Sequence, residues 1–259
     1  MIAAAAVAAT GVGLAVHALF RSVTRPVPGC TIGTGPQALV LTLDQAQNAS
    51  TVAVVAKRLG LPDHAVTVAL ATALQESKLH NYPFGDRDSV GLFQQRPSQG
   101  WGTPTQLLTP AYASAAFFRH LATVPGWQEM PVAAAAQEVQ HSADGSAYAQ
   151  WEEEARAMAR ALTGEVSPGM ACHFPTGQTV RPRDLLALAN RELGTDVLGR
   201  VDGTAAEDWT VAEWLVGHAN AYGIVTVNVR GHRWTNDGQW VMDEAAAGPP
   251  SYEFATRRS

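Results

Sequence analysis

The chain has 259 residues, 18 Lys+Arg, 23 Asp+Glu and two cysteines, for a net charge of −5. That length allows about two domains, and a hydrophobic content of 46% excludes a chain dominated by disorder. An acidic balance without a basic block excludes a phosphate-tracking nucleic-acid binder, and two cysteines make at most one bridge, which excludes a disulfide miniprotein.

In chain order, residues 2–20 carry no charge. They come close to the ~20 residues that span a hydrocarbon core. Residues 1–24 are therefore expected to be a signal anchor or a cleaved signal peptide. Arg21 and Arg25 follow the segment, which by the positive-inside rule places what comes next in the cytoplasm. A longer natural start supplying upstream positive charge reverses that orientation. Residues 25–40 are punctuated by Pro and Gly and are expected to be a linker. Cys30 and Cys172 flank the next region, each in loop-like sequence. They are expected either to bridge its two ends, in an oxidising compartment, or to remain two separate thiols.

Residues 41–162 read as helical. Thr42 and Gln45 have capping-box spacing. Ala46, Ala49, Val52, Ala53, Ala56 and Leu59 then recur at helical period, and Gly60 and Pro62 end the run. A second helix is expected at 63–79, with Val66, Leu70, Ala73 and Leu74 on its apolar face. Residues 80–96 lose the periodicity and form a loop, with a short hairpin around 89–94. Further helices are predicted at 110–122, 131–141 and 146–163.

Glu76 falls at the C-terminal end of the second helix. The negative end of the helix dipole, and burial where it occurs, both disfavour a charged carboxylate. A raised carboxyl pKa suits a general acid at neutral pH. Taken alone, however, most helical Glu residues are solvated. Asp86 and Asp88 lie in the loop and are the other candidate acids, or else simple turn residues. Tyr82, Phe84, Trp101 and Tyr112 are either sugar-stacking or core aromatics.

Three motifs then stand in order: Glu76-Ser77, Gly85-Asp86-Arg87 and Gly91-Leu92-Phe93-Gln94. Together they resemble the lysozyme-like family of lytic transglycosylases and goose-type lysozymes over about residues 41–164. QNASTVAVVAKRLGLP, ALQESKL and GDRDSVGLFQQRPSQGWG are similar to an actinobacterial branch of exported lysozyme-like proteins. The resemblance implies a mainly α lysozyme-like domain at 41–172 that cleaves peptidoglycan glycan strands, with Glu76 as catalytic acid. It implies that Ser77 orients the backbone or that acid, that Gly91 permits close sugar approach, and that Gln94 lies near the acid and the substrate's acetamido group.

Gln95, Trp101, Gln140 and Tyr148 are the further candidate substrate-binding residues. Where most transglycosylases carry Ala-Tyr-Asn, this chain has Ala136 onward, with Val139 in the tyrosine place and Gln140 as a stand-in amide. Goose-type lysozymes also place an Asp just beyond the tetrad, where this chain has Gln95 and Arg96. Only Asp86 and Asp88 are then left as second acids. One carboxyl suits internal attack by the muramyl 6-hydroxyl, giving a 1,6-anhydro product, over hydrolysis with two carboxylates. The alternative is a non-catalytic wall-binding or envelope scaffold protein.

After a linker at 173–182, residues 183–247 are expected to form a small α+β domain. Its elements are helices at 184–193 and 208–222, a strand at 224–229 and a hairpin carrying Trp234 and Trp240. Residues 248–259 form a frayed tail. Trp214-Leu215-Val216-Gly217-His218, continuing to Tyr222-Gly223, resembles a segment of zinc D-alanyl-D-alanine carboxypeptidase-like domains. The upstream ligand histidine of that family is missing, and His173, His218 and His232 have no ligand spacing. A degenerate domain without metal or other cofactor is therefore expected. The expected partners are peptidoglycan strands and, through the N-terminal segment, the cytoplasmic membrane, with no nucleic acid. The expected location is the extracytoplasmic side, as a single-pass or secreted protein.

Overall fold

The computed structural model describes residues 27–33, 38–142, 144–175 and 182–255. The expected membrane segment at 1–24 lies outside them. No helix among the described residues is long and apolar enough to cross a membrane.

Two central helices carry the helical region. α1 (Leu43–Arg58) opens on the capping box: the Thr42 amide donates to Gln45 Oε1 at 2.9 Å and the Gln45 amide to Thr42 Oγ1 at 3.4 Å. α2 (Asp63–Ser77) follows Pro62. Every residue from Asn48 to Ala56 of α1, and from Ala65 to Leu74 of α2, is buried. A helix buried on all sides lies between other elements, so an apolar stripe marks only part of its packing surface. α3 (Pro104–Leu107) packs on α4 (Pro110–Leu121), and α4, α5 (Val132–Gln140) and α6 (Glu152–Leu162) pack around this pair. A 3₁₀ segment, Gly145–Trp151, precedes α6, so the helix expected at 146–163 begins in the tighter form. The hairpin expected at 89–94 is one bridge, Val90 to Gln95, closing a tight turn.

Two short strands fall within the stretch expected as linker. β1 (Gly29–Ile32) is the middle of a three-stranded antiparallel sheet between β2 (Leu39–Leu41) and β3 (Met170–His173). Its register sets Cys30 directly opposite Cys172, and the two are joined by a disulfide. The cysteines therefore sit on paired strands, not in loops. β3, the second ladder partner of β1, is more than a hundred residues away, so no local pattern announces that pairing.

The remaining elements are α7 (Pro182–Glu192), α8 (Ala205–Tyr222) and an antiparallel sheet of order β6-β5-β4-β7. Its strands are β4 (Ile224–Val229), β5 (His232–Thr235), β6 (Gln239–Met242) and β7 (Ser251–Phe254). β7 lies in the stretch expected to fray. It pairs with β4, and the Ala255 amide donates to Gly223 O at 3.0 Å.

These elements share the core of the helical region. α8 packs on α1, and Gly217 makes that approach possible: a Cβ there would lie 2.6 Å from Ser50 Oγ. Beside it, Glu192 Oε2 accepts from Thr51 Oγ1 at 2.9 Å and from Trp214 Nε1 at 2.8 Å, with His218 Nε2 at 3.5 Å. His218 is fully buried and its Nδ1 lies 2.9 Å from Trp214 O, so it belongs to the core. Glu213, also fully buried, accepts from the Gly169 amide at 2.7 Å and the Met170 amide at 3.0 Å. Burial pushes its carboxyl up to about 8, against the pull of those two amides.

Candidate active site

Glu76 occupies the last turn of α2, and Ser77 ends the helix. Ser77 is buried, and its Oγ donates to Leu92 O at 2.8 Å and to Ala73 O at 3.1 Å. The hydroxyl beside the acid thus ties α2 to the Gly91–Gln94 turn. Gln140 reaches the same turn from α5, its Nε2 donating to Phe93 O at 2.8 Å. Tyr148, from the 3₁₀ segment, donates its hydroxyl to Glu76 Oε1 at 2.8 Å. α5 and the 3₁₀ segment, neighbours in sequence but far from α2, therefore bring Gln140 and Tyr148 to the end of α2.

The electrostatics follow from that enclosure. Burial is the largest influence on Glu76 and raises its pKa above the ordinary carboxyl value. Hydrogen bonding from Tyr148 and Gln140 and the charge of Lys78 pull it back without cancelling the rise. The Tyr148 phenol is held far above its usual value, first by burial and further by the neighbouring Glu76, while Ser142 opposes the shift. Tyr148 therefore stays a donor throughout the physiological range. The enclosure favours the protonated acid relative to a solvated carboxyl, and Tyr148 can still support the carboxylate once that proton has left.

The hydroxyl that reaches Glu76 belongs to Tyr148, on the 3₁₀ segment, and not to α5. Val139, where it was sought, is buried. The sequence pattern fails here because the donor comes from the next segment and not from the same helix.

The turn at 91–94 is shaped by packing. Gly91 has φ +81, and a Cβ there would sit 2.5 Å from Leu107 O. The close approach that requires glycine is thus to α3, whereas a sugar had been expected. Gln94 takes φ +47 and folds back over its own loop, Nε2 donating to Gly91 O at 3.1 Å and lying 3.4 Å from Phe84 O. Gln95, expected to face the glycan, is instead buried, donating to Ala113 O at 3.2 Å. Trp101 lies against α4, its ring stacked on His120 with centroids 3.9 Å apart.

Neither candidate second acid resembles Glu76. The Asp86 side chain is 93% exposed, with Arg87 3.8 Å away. Asp88 accepts from the Ser98 amide at 2.7 Å, from Arg96 Nε at 2.7 Å and from Ser98 Oγ at 3.0 Å. Those bonds, the Ser98 amide first, hold its carboxyl well below the usual range. It is a structural acceptor pinning the 97–99 turn.

Four residues around the end of α2 carry no candidate role in the sequence. Gln75 Oε1 accepts from Trp151 Nε1 at 2.8 Å and from Gln150 Nε2 at 3.2 Å. Lys78 places its ammonium 3.9 Å from the centroid of the Trp151 ring. Trp151 and Lys78 look like an ordinary core aromatic and a solvated cation until the 3₁₀ segment brings them together. Among the described residues, no group of three or more His, Cys, Asp and Glu side chains could hold a metal ion.

No family model matches the chain, and no curated protein matches it significantly.

Proposed function

We propose that the protein cleaves peptidoglycan glycan strands between N-acetylmuramic acid and N-acetylglucosamine, with Glu76 as general acid and then base. The observation that carries this reading is the Glu76–Tyr148 pair: a half-buried carboxyl with a raised pKa, receiving a bond from a phenol that does not ionise. Glu76 protonates the glycosidic oxygen as the bond to the anomeric carbon breaks. The resulting carboxylate accepts the proton of the muramyl 6-hydroxyl. That oxygen attacks the anomeric carbon and closes a 1,6-anhydro ring, leaving Glu76 protonated again.

The intramolecular nucleophile has a large effective concentration. A water-activating second carboxylate, of the kind hydrolysing glycosidases use, is then unnecessary. The exposure of Asp86 and the engagement of Asp88 support this outcome over hydrolysis. The Cys30–Cys172 bridge supports action outside the cytoplasm, where disulfides persist. Attachment to the cytoplasmic membrane through residues 1–24 completes the reading.

Mass spectrometry of the products of purified cell walls tests it. Anhydromuramyl ends from the wild type, lost in Glu76→Gln with wall binding retained, are expected. Reducing ends would replace the lytic route with hydrolysis. Wild-type protein that binds walls but never cuts them would make the chain a binding module.

A further inference from the structure

α2 ends on two successive left-handed residues that are not glycine, Lys78 at φ 55 and Leu79 at φ 64. Each such residue is strained and persists only where its surroundings impose it. Here they do. The amides of Lys78 and Leu79 close on Leu74 O and Ala73 O, both at 3.1 Å. From α1, Gln45 Nε2 donates to Lys78 O and Asn48 Nδ2 to Leu79 O, both at 2.8 Å. Leu79 is fully buried and anchors the corner, while Lys78 is exposed.

The corner delivers the Lys78 ammonium to the face of Trp151, whose indole N–H is fixed by Gln75. A cation over an indole face is held loosely in direction but closely in place. Among the described residues this ammonium has no carboxylate partner within ion-pair distance, whereas Lys57 is paired with Asp63 at 3.0 Å. Lys78 stands close enough to Glu76 to disfavour the protonated acid. An uncompensated cation beside a proton donor is a poor arrangement for the free protein. It becomes a good one when a ligand brings a negative charge to it.

We propose that Lys78, held on Trp151, is a specificity-determining residue that binds a carboxylate of the glycan beside the scissile bond. The inference rests on the reading of Glu76 as the acid of a peptidoglycan site. The carboxylate is either the free lactyl group of a strand stripped of peptide or an acidic group of an attached stem peptide. Binding it would also neutralise the charge that opposes the proton on Glu76, coupling recognition to the acid.

Full-length Glu76→Gln protein, which cannot turn over, is titrated calorimetrically with three polymers of matched length. They are a chitin oligosaccharide with no carboxylate, a peptide-stripped peptidoglycan strand and a peptide-bearing strand. At least one carboxylate-bearing strand is expected to bind roughly five- to tenfold more tightly than chitin, with the advantage shrinking in salt. The strand that shows the advantage identifies the source of the carboxylate. Adding Lys78→Met abolishes the advantage, and Lys78→Arg retains it, with thermal unfolding unchanged in both. Equal binding of all three polymers, or a preference that survives Lys78→Met, overturns the role of Lys78 while leaving the glycan site standing. Binding of none of them overturns both.

Discussion

Tyr148 donates to Glu76 across 72 residues of sequence, and no other described side chain makes a hydrogen bond to that carboxyl as short as this 2.8 Å contact. Tyr148→Phe removes the bond and keeps the ring. Activity on cell walls is expected to fall by about ten- to a hundredfold, while the fold loses only about 1 kcal/mol. The bond lowers the Glu76 pKa, so its loss raises that pKa further. The basic limb of the pH–rate profile is therefore expected to move to higher pH. Turbidity clearance across pH, together with a thermal melt, checks both effects.

Asp86 and Asp88 are expected to respond differently from each other. Asp86→Asn should leave turnover within about twofold, since the side chain stands in water beside Arg87. Asp88→Asn should lower the melting temperature, because it weakens the acceptor shared by Arg96 and the Ser98 amide and hydroxyl. A loss of turnover in Asp86→Asn as deep as that of Glu76→Gln would make Asp86 the second catalytic acid.

Stability should decline from mildly acidic toward mildly basic pH. The Glu213 carboxyl is raised from 4.5 to about 8 in the folded protein. Below the unfolded value both states hold the proton, and the contribution is full. Between the two values the unfolded chain has lost its proton while the folded chain keeps it, so stability falls as pH rises and levels off above the folded value. Glu76 acts in the same direction. The total decline is on the order of a few kcal/mol. Urea unfolding between about pH 5 and pH 8 measures it, and Glu213→Gln should flatten most of the slope.

Reduction of the Cys30–Cys172 bridge releases a loop with a sequence separation of 142. In the chain-entropy description that closure is worth up to about 5 kcal/mol. Cys30→Ala/Cys172→Ala protein should unfold at markedly lower denaturant, and wild type in strong reductant should match it. Identical midpoints with and without reductant would show that the β1–β3 pairing alone holds these ends together.

Much of the helical architecture was legible because it is local. Thr42, Gly60 and Pro62 bound α1 by capping and breaking chemistry that needs no tertiary partner. The pairing of β1 with β3, the return of β7 to β4 and the burial of α1 on all sides were not legible. Each depends on a partner distant in sequence. The site divides the same way. Glu76, Ser77 and the 91–94 turn carry a motif, whereas the engagement of Tyr148 and the meeting of Lys78 with Trp151 exist only after 3₁₀ packing. Gln95 was misjudged because polarity in a loop says nothing about which way an amide turns.

The tight seating of Gly217 on Ser50, with Glu192 and His218 alongside, has a bearing on inheritance. A recombination that swapped the last third of this gene for a foreign segment would set an unmatched helix against α1, and the helical region that carries Glu76 would lose its backing. The two halves of the polypeptide are thus bound to evolve as one unit, and shuffling at residues 173–182 should leave few viable offspring.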